Sequence, residues 1–326
     1  GFMTTLDTNA AEARSRITGI LCIMGGMIFF SLNDMSIKFL SGGYALHQVV
    51  LIRTAFALAV LVGLVMPFRG GHGQMLTRRP GAHFLRGVCV VLANMLFFVA
   101  LAAMPLAEAV AISFVSPLLI TLLSVLFLGE EVGPRRWVAV GLGLLGVVVI
   151  LRPGTEAFRP VAILPLLGAV AYAMVNILTR RLGPTESAAT LAFYIQITFA
   201  AVSAAMGLTV GDGRFAGTGD ASLDFLLRAW VWPQPRDWPI LVMLGLAAAI
   251  GSLLVAQGYR LCEAALAAPF EYSAMPLAVF WGVVVFGEWP DAVAWTGIAL
   301  ILGGGLYLIW RETLKGRVSA GPRARR

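Results

Sequence analysis

Ten apolar runs, each near the length that crosses a bilayer and separated by short charged stretches, leave this chain few ways to fold. They lie near residues 17–40, 46–66, 84–103, 106–128 and 136–151, and again near 160–180, 188–210, 238–260, 263–286 and 293–310. A helix needs about 20 apolar residues to cross the hydrocarbon, so ten crossings consume about 200 residues and leave only short loops. With 59% of the 326 residues hydrophobic and 13% charged, the composition lies outside that of soluble domains. The fold class that follows is an all-α polytopic membrane protein with ten transmembrane helices. The turns at Pro105 and Glu263 are so tight that a cruder reading fuses their neighbours. The first run is too long for a cleavable signal peptide and lacks a small-residue cleavage site; Gly1 and Phe2 ahead of Met3 read as a cloning remnant.

The net charge of +7 does not mark a nucleic-acid reader, which needs a basic patch on a soluble fold. With the amino terminus inside, the cytoplasmic segments hold Arg14, Arg16, Arg69, Arg78, Arg79, Arg86, Arg135, Arg136, Arg180, Arg181, Arg260 and six basic residues after Trp310. The opposite side holds Arg152, Arg159, Arg214, Arg228 and Arg236. This asymmetry predicts both termini in the cytoplasm, in agreement with an even number of helices. Between 211 and 237, Leu223, Phe225, Leu226, Trp230 and Trp232 stand among charges, which suits a segment lying along the membrane interface or a loop with an aromatic anchor. Cys22, Cys89 and Cys262 fall in or beside apolar stretches without paired spacing and read as small buried hydrophobes.

The chain repeats itself. AISFVSPLL, with Pro117, aligns with PFEYSAMPL, with Pro276, and Gly129–Glu130 aligns with Gly287–Glu288. Trp137 then meets Trp295, and Gly146 meets Gly304. The alignment pairs Ile112 with Glu271 and Ser113 with Tyr272, then slips by one residue before the glycines. Each half holds five helices, and an odd number forces the second half to enter from the opposite side, giving two inverted five-helix repeats. Such repeats are associated with secondary transporters, whose midplane site opens alternately to either side.

The Gly-Glu closing each fourth helix, the run Pro269 to Tyr272, Arg53 in the second helix and the glycine-rich fifth helices resemble the EamA repeat of the drug/metabolite transporter superfamily. The resemblance spans nearly the whole chain and divides it into a cytoplasmic segment 1–16, repeats at 17–154 and 155–312, and a basic cytoplasmic tail 313–326. It implies a central cavity formed largely by helices one, three, four, six, eight and nine. It also implies export of amino acids, aromatic ones included, or other small metabolites across a bacterial inner membrane.

Charges at mid-bilayer are costly and are functional candidates by default. Asp34 and Glu271 are the acids well inside the runs, while Glu108, Glu263 and Glu288 sit near helix ends in interfacial or capping positions. Asp34 and Lys38 at i, i+4 suit an ion pair on one helix face, with Arg53 in reach of Asp34 or of a helix carboxyl end. Holding the fold and gating both fit this trio. Glu271 has no basic residue within a turn on its own helix, so it is a partner for a substrate ammonium, a proton carrier, or a hydrogen-bonded structural acid. Tyr272 points roughly 100° away from it around the helix. Tyr172, Asn176 and Thr179 form an i, i+4, i+7 stripe, which serves a cavity or joins helices. Asn33, Asn94, Ser113 and Gln257 are further polar candidates in helices that the resemblance assigns to the cavity. Phe97, Phe98, Phe114, Phe280 and Trp281 suit a path for an apolar substrate or plain packing. Pro117 and Pro276 lie mid-helix as candidate hinges or static bends. Gly141, Gly143, Gly146, Gly297 and Gly303 to Gly305 allow close helix approach, internally or at a dimer seam.

Nothing assembles an enzyme: His47, His72 and His83 form no metal motif, no aspartate pair lies inside the runs, and no cofactor or metal is expected. A receptor or scaffold lacks its soluble domain, and a channel lacks a filter or charged ring. No phosphate-binding loop supplies nucleotide energy. The expected function is a secondary transporter of small metabolites, monomeric or dimeric, with a flippase of lipid-linked cargo as the alternative.

Overall fold

The computed structural model describes residues 2–129, 131–182, 188–261 and 264–319. Among the described residues, ten helices are long and apolar enough to cross a membrane: span 1 (Leu6–Leu40), span 2 (Leu46–Phe68), span 3 (Pro80–Leu101), span 4 (Leu106–Phe127), span 5 (Pro134–Leu151), span 6 (Pro160–Ile177), span 7 (Ala189–Val210), span 8 (Pro235–Gly258), span 9 (Ala268–Phe286) and span 10 (Ala292–Arg311). The chain is an all-helical, multi-pass membrane protein, and ten crossings bring both termini to one end of the bundle. The segment 1–16 is not separate from span 1, because one helix runs from Phe2 to Leu40. The last helix likewise runs from Ala292 to Ser319, into the expected tail. Ala, Glu, Arg and Leu in these polar extensions are good helix formers, so the helix outlasts the apolar stretch.

The spans pair in a regular way. Span 1 lies along span 8, span 3 along span 6, and span 5 along span 10. Exchanging the first five spans with the last five converts the first pair into the second and leaves the third unchanged. Glycines make each pairing close: a Cβ on Gly168 would stand 2.8 Å from the Ala93 carbonyl oxygen, and one on Gly258 would stand 2.8 Å from that of Gly19. Between spans 5 and 10, a Cβ on Gly146 would meet the Gly297 oxygen at 2.7 Å, one on Gly297 the Gly146 oxygen at 2.9 Å, and one on Gly304 the Ala139 oxygen at 2.8 Å. These small residues therefore serve helix contacts inside one chain, where lipid supplies no hydrophobic drive and close backbone packing replaces it.

Spans 4 and 9 are broken. Span 4 consists of helices Leu106–Ser113 and Ser116–Leu128; the chain of span 9 consists of Ala264–Glu271 and Ala274–Phe286. Both breaks tighten into i→i−3 bonds: Phe114 N–H to Ala111 and Val115 N–H to Ile112 in one, Tyr272 N–H to Pro269 and Ser273 N–H to Phe270 in the other. Both distal helices end on a left-handed glycine, Gly129 at φ 66° and Gly287 at φ 66°. These features share one offset, so the break aligns Phe114 with Tyr272 and Ser113 with Glu271, one residue away from the alignment anchored on the prolines. The reason is physical. Pro117 and Pro276 both fall in the first turn of the distal helix, where no amide is required, and a proline shifts by one place there without changing the backbone. The prolines thus stand just after a break rather than at a mid-helix kink. The matched pairing, breaks and caps are compatible with two inverted five-span repeats.

The segment 211–237 is packed against the helices rather than loose. It folds onto the bundle end opposite the termini, where the helix Ala221–Leu227 is capped by the Asp220 carboxylate on Leu223 N–H at 2.9 Å. Phe225 is fully buried, Ser222 donates to the Val99 carbonyl at 2.9 Å, and Arg228 donates to those of Ser41 and Tyr44 at 2.7 and 3.1 Å. Trp230 stacks on His47 with ring centroids 5.8 Å apart and donates to its Nδ1. Leu223, Trp230 and Trp232 of the five apolar residues named above remain exposed, Trp232 at 85%.

The span 5–span 10 seam yields a test. Overpacking a close contact costs about 1–3 kcal/mol, so Gly146→Ala lowers the thermal unfolding midpoint of detergent-purified protein. Gly141→Ala, whose Cβ meets nothing within 4 Å, leaves the midpoint unchanged or raises it.

Candidate functional site

At the end opposite the termini, charged side chains tie the first five spans to the last five. Lys38 at the close of span 1 donates to the carbonyls of Leu101 and Met104 at 2.6 and 2.7 Å and pairs with Glu288 at 3.4 Å. Glu288 in turn accepts the Leu106 amide at 3.3 Å. An ammonium thus serves the exhausted carbonyl end of span 3, and a carboxylate serves the amino end of span 4, each where the helix dipole favours it. Glu108, 2% exposed, pairs with Arg159 at 2.8 Å and with Arg152 at 3.6 Å. Arg152, a non-glycine residue at φ 53° where span 5 ends, donates through both guanidinium nitrogens to Asp291 at 2.8 and 2.7 Å. That two-point bond, helped by the Ala294 amide, holds the Asp291 carboxyl at about 2, below the usual carboxylate range. Four spans and three loops converge on this network.

The two breaks meet in the middle of the bundle. Phe114 and Tyr272, at matching points of the two breaks, stack with centroids 4.6 Å apart and an interplanar angle of 20°. The Tyr272 hydroxyl is buried against Gly305, whose missing side chain leaves the space. Glu271 is the last residue of the proximal helix of span 9. It bears electrostatically on Tyr172 of span 6, as does Arg86 of span 3. Tyr172 keeps 50% of its surface accessible although it lies well inside its span, and Asn176 one turn on donates to its carbonyl at 3.0 Å. An acid and a base from different spans thus bear on one tyrosine.

Asn33, Asp34 and Arg53 form a second polar group. Arg53, 4% exposed, donates to Asn33 Oδ1 at 3.2 Å, and Asn33 donates to Asp34 Oδ1 at 3.2 Å. The guanidinium is held between the rings of Phe98 at 5.3 Å and Phe199 at 4.9 Å, which ties spans 1, 2, 3 and 7 together through cation–π contact. The expected Asp34–Lys38 ion pair is not formed, because the Lys38 ammonium is drawn instead to the carbonyl end of span 3 and to Glu288.

Residues 17–152 match the EamA-like transporter family. Along nearly the full length, the chain is 27% identical to an S-adenosylmethionine uptake transporter of Rickettsia felis, covering 92% of this chain and 95% of that protein. It is 29% identical to a riboflavin transporter of Rhizobium johnstonii, over 95% and 97%, and 25% identical to a pseudopaline exporter of Pseudomonas aeruginosa, over 87% and 93%. The chain carries an EamA family domain in its first half and is similar over nearly its full length to membrane transporters. A solved crystal structure at 22% identity superposes with a TM-score of 0.58 over 90% of this chain and 97% of that one, which shows the fold.

The remaining expected residues fall as follows. Asn94 and Ser113 turn their donors back onto their own helices, to Val90 at 2.9 Å and to Ala109 at 3.1 Å. Gln257 is half-buried near the end of span 8. Trp281 bridges spans 9 and 1 by donating to Ser31 at 3.2 Å, a packing role, and Phe97 packs on Phe98. Glu288 does cap a helix, and Glu108 is buried in ion pairs. Glu130 and Glu263 lie outside the described residues, and the side chain of Thr179 is not among those described. Sequence reasoning counted Arg86 with the cytoplasmic segments although it lies in the second turn of span 3, and missed the coupling of Glu108 to Arg152, Arg159 and Asp291, whose partners lie far apart in sequence.

A depressed carboxylate pKa contributes stability above its ordinary value and loses it as pH falls through the folded value. The thermal-midpoint difference between wild type and Asp291→Asn is therefore flat from pH 8 to about pH 5 and closes between about pH 4 and pH 2, as read by light scattering or intrinsic fluorescence in detergent.

Proposed function

We propose that the protein is a secondary transporter of the bacterial inner membrane, with both termini in the cytoplasm, which carries a small metabolite by alternating access. The carrying observation is the pair of broken helices meeting at Phe114 and Tyr272 between the two five-span units. Backbone that departs from helix is tolerated inside a membrane where it is buried or lines a cavity, and two such points facing each other supply a hinge on each side of one site. The charged network from Lys38 to Asp291 closes the external end in the conformation described. The site around Tyr172 and Glu271 then opens towards the cytoplasm, with Pro117 and Pro276 starting the helices that move. Asn33, Asn94, Ser113, Asn176, Gln257 and Tyr272 complete the cavity lining, and Asp34, Lys38 and Arg53 belong to the gating side.

The cargo we favour carries an amino-acid group and a planar ring. Glu271 suits an ammonium and the Phe114–Tyr272 pair suits a ring face. Aromatic amino acids fit, and the relatives that carry S-adenosylmethionine or riboflavin add ring-bearing metabolites beyond them. Uptake and export both occur among these relatives, so direction follows the gradients.

Counterflow in proteoliposomes tests this reading with labelled tryptophan, S-adenosylmethionine and riboflavin, each against its unlabelled form on the trans side. At least one accumulates above empty liposomes without nucleotide. A folded protein that accumulates none of the three removes the proposed cargo class. Removing one charge-assisted contact costs about 1.5–3 kcal/mol, so Glu271→Gln slows counterflow of an ammonium-bearing cargo by about tenfold or more and leaves riboflavin unaffected.

A further inference from the structure

Spans 1 and 8 do not stay together over their full length. Towards the termini they touch at glycines: a Cβ on Gly258 would stand 2.8 Å from the Gly19 carbonyl oxygen, and one on Gly26 would stand 3.1 Å from that of Gly251. Nearer the other end of span 8, Gly245 faces span 2 instead, where a Cβ would stand 3.0 Å from the Arg53 carbonyl oxygen. Close backbone approach follows the small residues, so span 8 passes from one neighbour to the next. At its far end a cavity of about 510 Å³ opens beside span 1, with Phe39, Leu40, Tyr44, Arg236, Asp237 and Ile240 in its wall. That volume lies within the roughly 300–1,000 Å³ of sites that hold small molecules.

The cavity lies where span 1 ends at Leu40 and span 8 begins at Pro235, which is the level of the bilayer surface. Trp232 and Trp238, with ring centroids 6.0 Å apart, mark the same level, as aromatic residues do beside headgroups. Phe39 keeps 51% of its surface accessible, so the cleft reaches the outside of the bundle, where lipid is the solvent. Its wall carries two opposite charges next to each other in sequence: Arg236 is exposed, and Asp237 is 9% exposed. The acid is held firmly. Tyr44 donates its hydroxyl to Asp237 Oδ2, and the same hydroxyl accepts the Gln234 amide at 3.0 Å. A carboxylate keeps acceptor capacity beyond one such bond. An exposed arginine at the surface of a membrane is ordinary on its own. A buried carboxylate beside it, at the mouth of a cleft floored by Phe39, Leu40 and Ile240, makes a site with an apolar floor and a rim that matches a zwitterion.

We infer that this cleft binds a phospholipid of the leaflet at the end opposite the termini, with an acyl chain on Phe39, Leu40 and Ile240, the phosphate on Arg236 and a primary ammonium headgroup on Asp237. Ethanolamine has that headgroup chemistry. The trimethylated ammonium of choline has no N–H to donate to Asp237, and a glycerol headgroup brings no cation. The lipid fills the gap that the parting of the two spans leaves. This site stands apart from the transport site, and its failure leaves the proposed function untouched.

Native mass spectrometry of the full-length protein tests this, with ethanolamine, choline and glycerol phospholipids of identical acyl chains added in pairs at equal concentration. Folding is checked by gel filtration and circular dichroism. Wild type retains the ethanolamine lipid over each of the other two by about tenfold or more, and successive N-methylation of the headgroup lowers retention step by step. Asp237→Asn reduces the preference over choline to within about twofold. Arg236→Gln lowers retention of all three lipids, because all carry the phosphate. Ile240→Trp, which fills the cleft without touching either charge, lowers retention of the ethanolamine lipid several-fold and gives the answer should Asp237→Asn fail to fold. Equal retention of the three lipids by wild type, as for lipids that merely surround the bundle, overturns the inference. So does a preference for the glycerol lipid, or a preference for ethanolamine that stays undiminished in a folded Asp237→Asn or Ile240→Trp.

Discussion

A peptide group placed in hydrocarbon must find its hydrogen bond within the protein, and this requirement decides where the chain is allowed to stop being a helix. Spans 4 and 9 break deep in the bundle. At both breaks i→i−3 bonds recover the amides of Phe114, Val115, Tyr272 and Ser273, and Val115 is fully buried. The prolines that follow need no partner for their nitrogens. The same requirement governs the ends. The carbonyls that span 3 leaves unmatched are taken by Lys38, and the first amide of span 4 is taken by Glu288. Unmet backbone groups of the first five spans are thus satisfied partly by a side chain from the second five.

Charge in this setting does two different kinds of work. Arg53 is enclosed by two rings and by Asn33, so its charge is dispersed among neighbours on four spans; removing it would leave those neighbours without a centre. The arginines at the external end have exposed partners, as with Asp291, or are shared, as Glu108 is between Arg152 and Arg159. The exposed carboxylate of Asp291 contributes little stability, whereas Glu108 is buried and its charge must stay paired. The buried guanidinium holds the bundle, while the peripheral network holds one of its conformations.

The ten crossings were legible because hydropathy reports burial in lipid directly, and the glycine seams because a lack of side chain has few other uses on a helix. What escaped depends on reach and phase. Lys38 and Asp34 are spaced for a pair, but a lysine has enough length to find the end of span 3, and only the fold brings Leu101 and Met104 there. The proline alignment misplaced the break by one residue, since a proline is equally at ease at neighbouring positions of a first helical turn. Phe225 and Trp230 read as interfacial from composition, yet His47 and the carbonyls of spans 1 to 3 give their segment a surface to fold on. Arg86 was counted with the cytoplasmic segments although the run at 84–103 contains it, and the helix Pro80–Leu101 holds it in its second turn.

The correct register of the breaks changes what the site means. Phe114 and Tyr272 are counterparts, so the ring stack joins like to like, whereas Ser113 and Glu271 are counterparts of unlike chemistry. Backbone breaks, terminal glycines and helix pairings match between the halves because both must satisfy the same hydrogen-bonding and packing demands. Polar side chains facing the centre are under no such demand and are free to differ. Relatives 25% to 29% identical to this chain are named for S-adenosylmethionine, riboflavin or pseudopaline, so cargo varies among chains of this length and similarity, as it does where function lives in a few side chains set on a common fold.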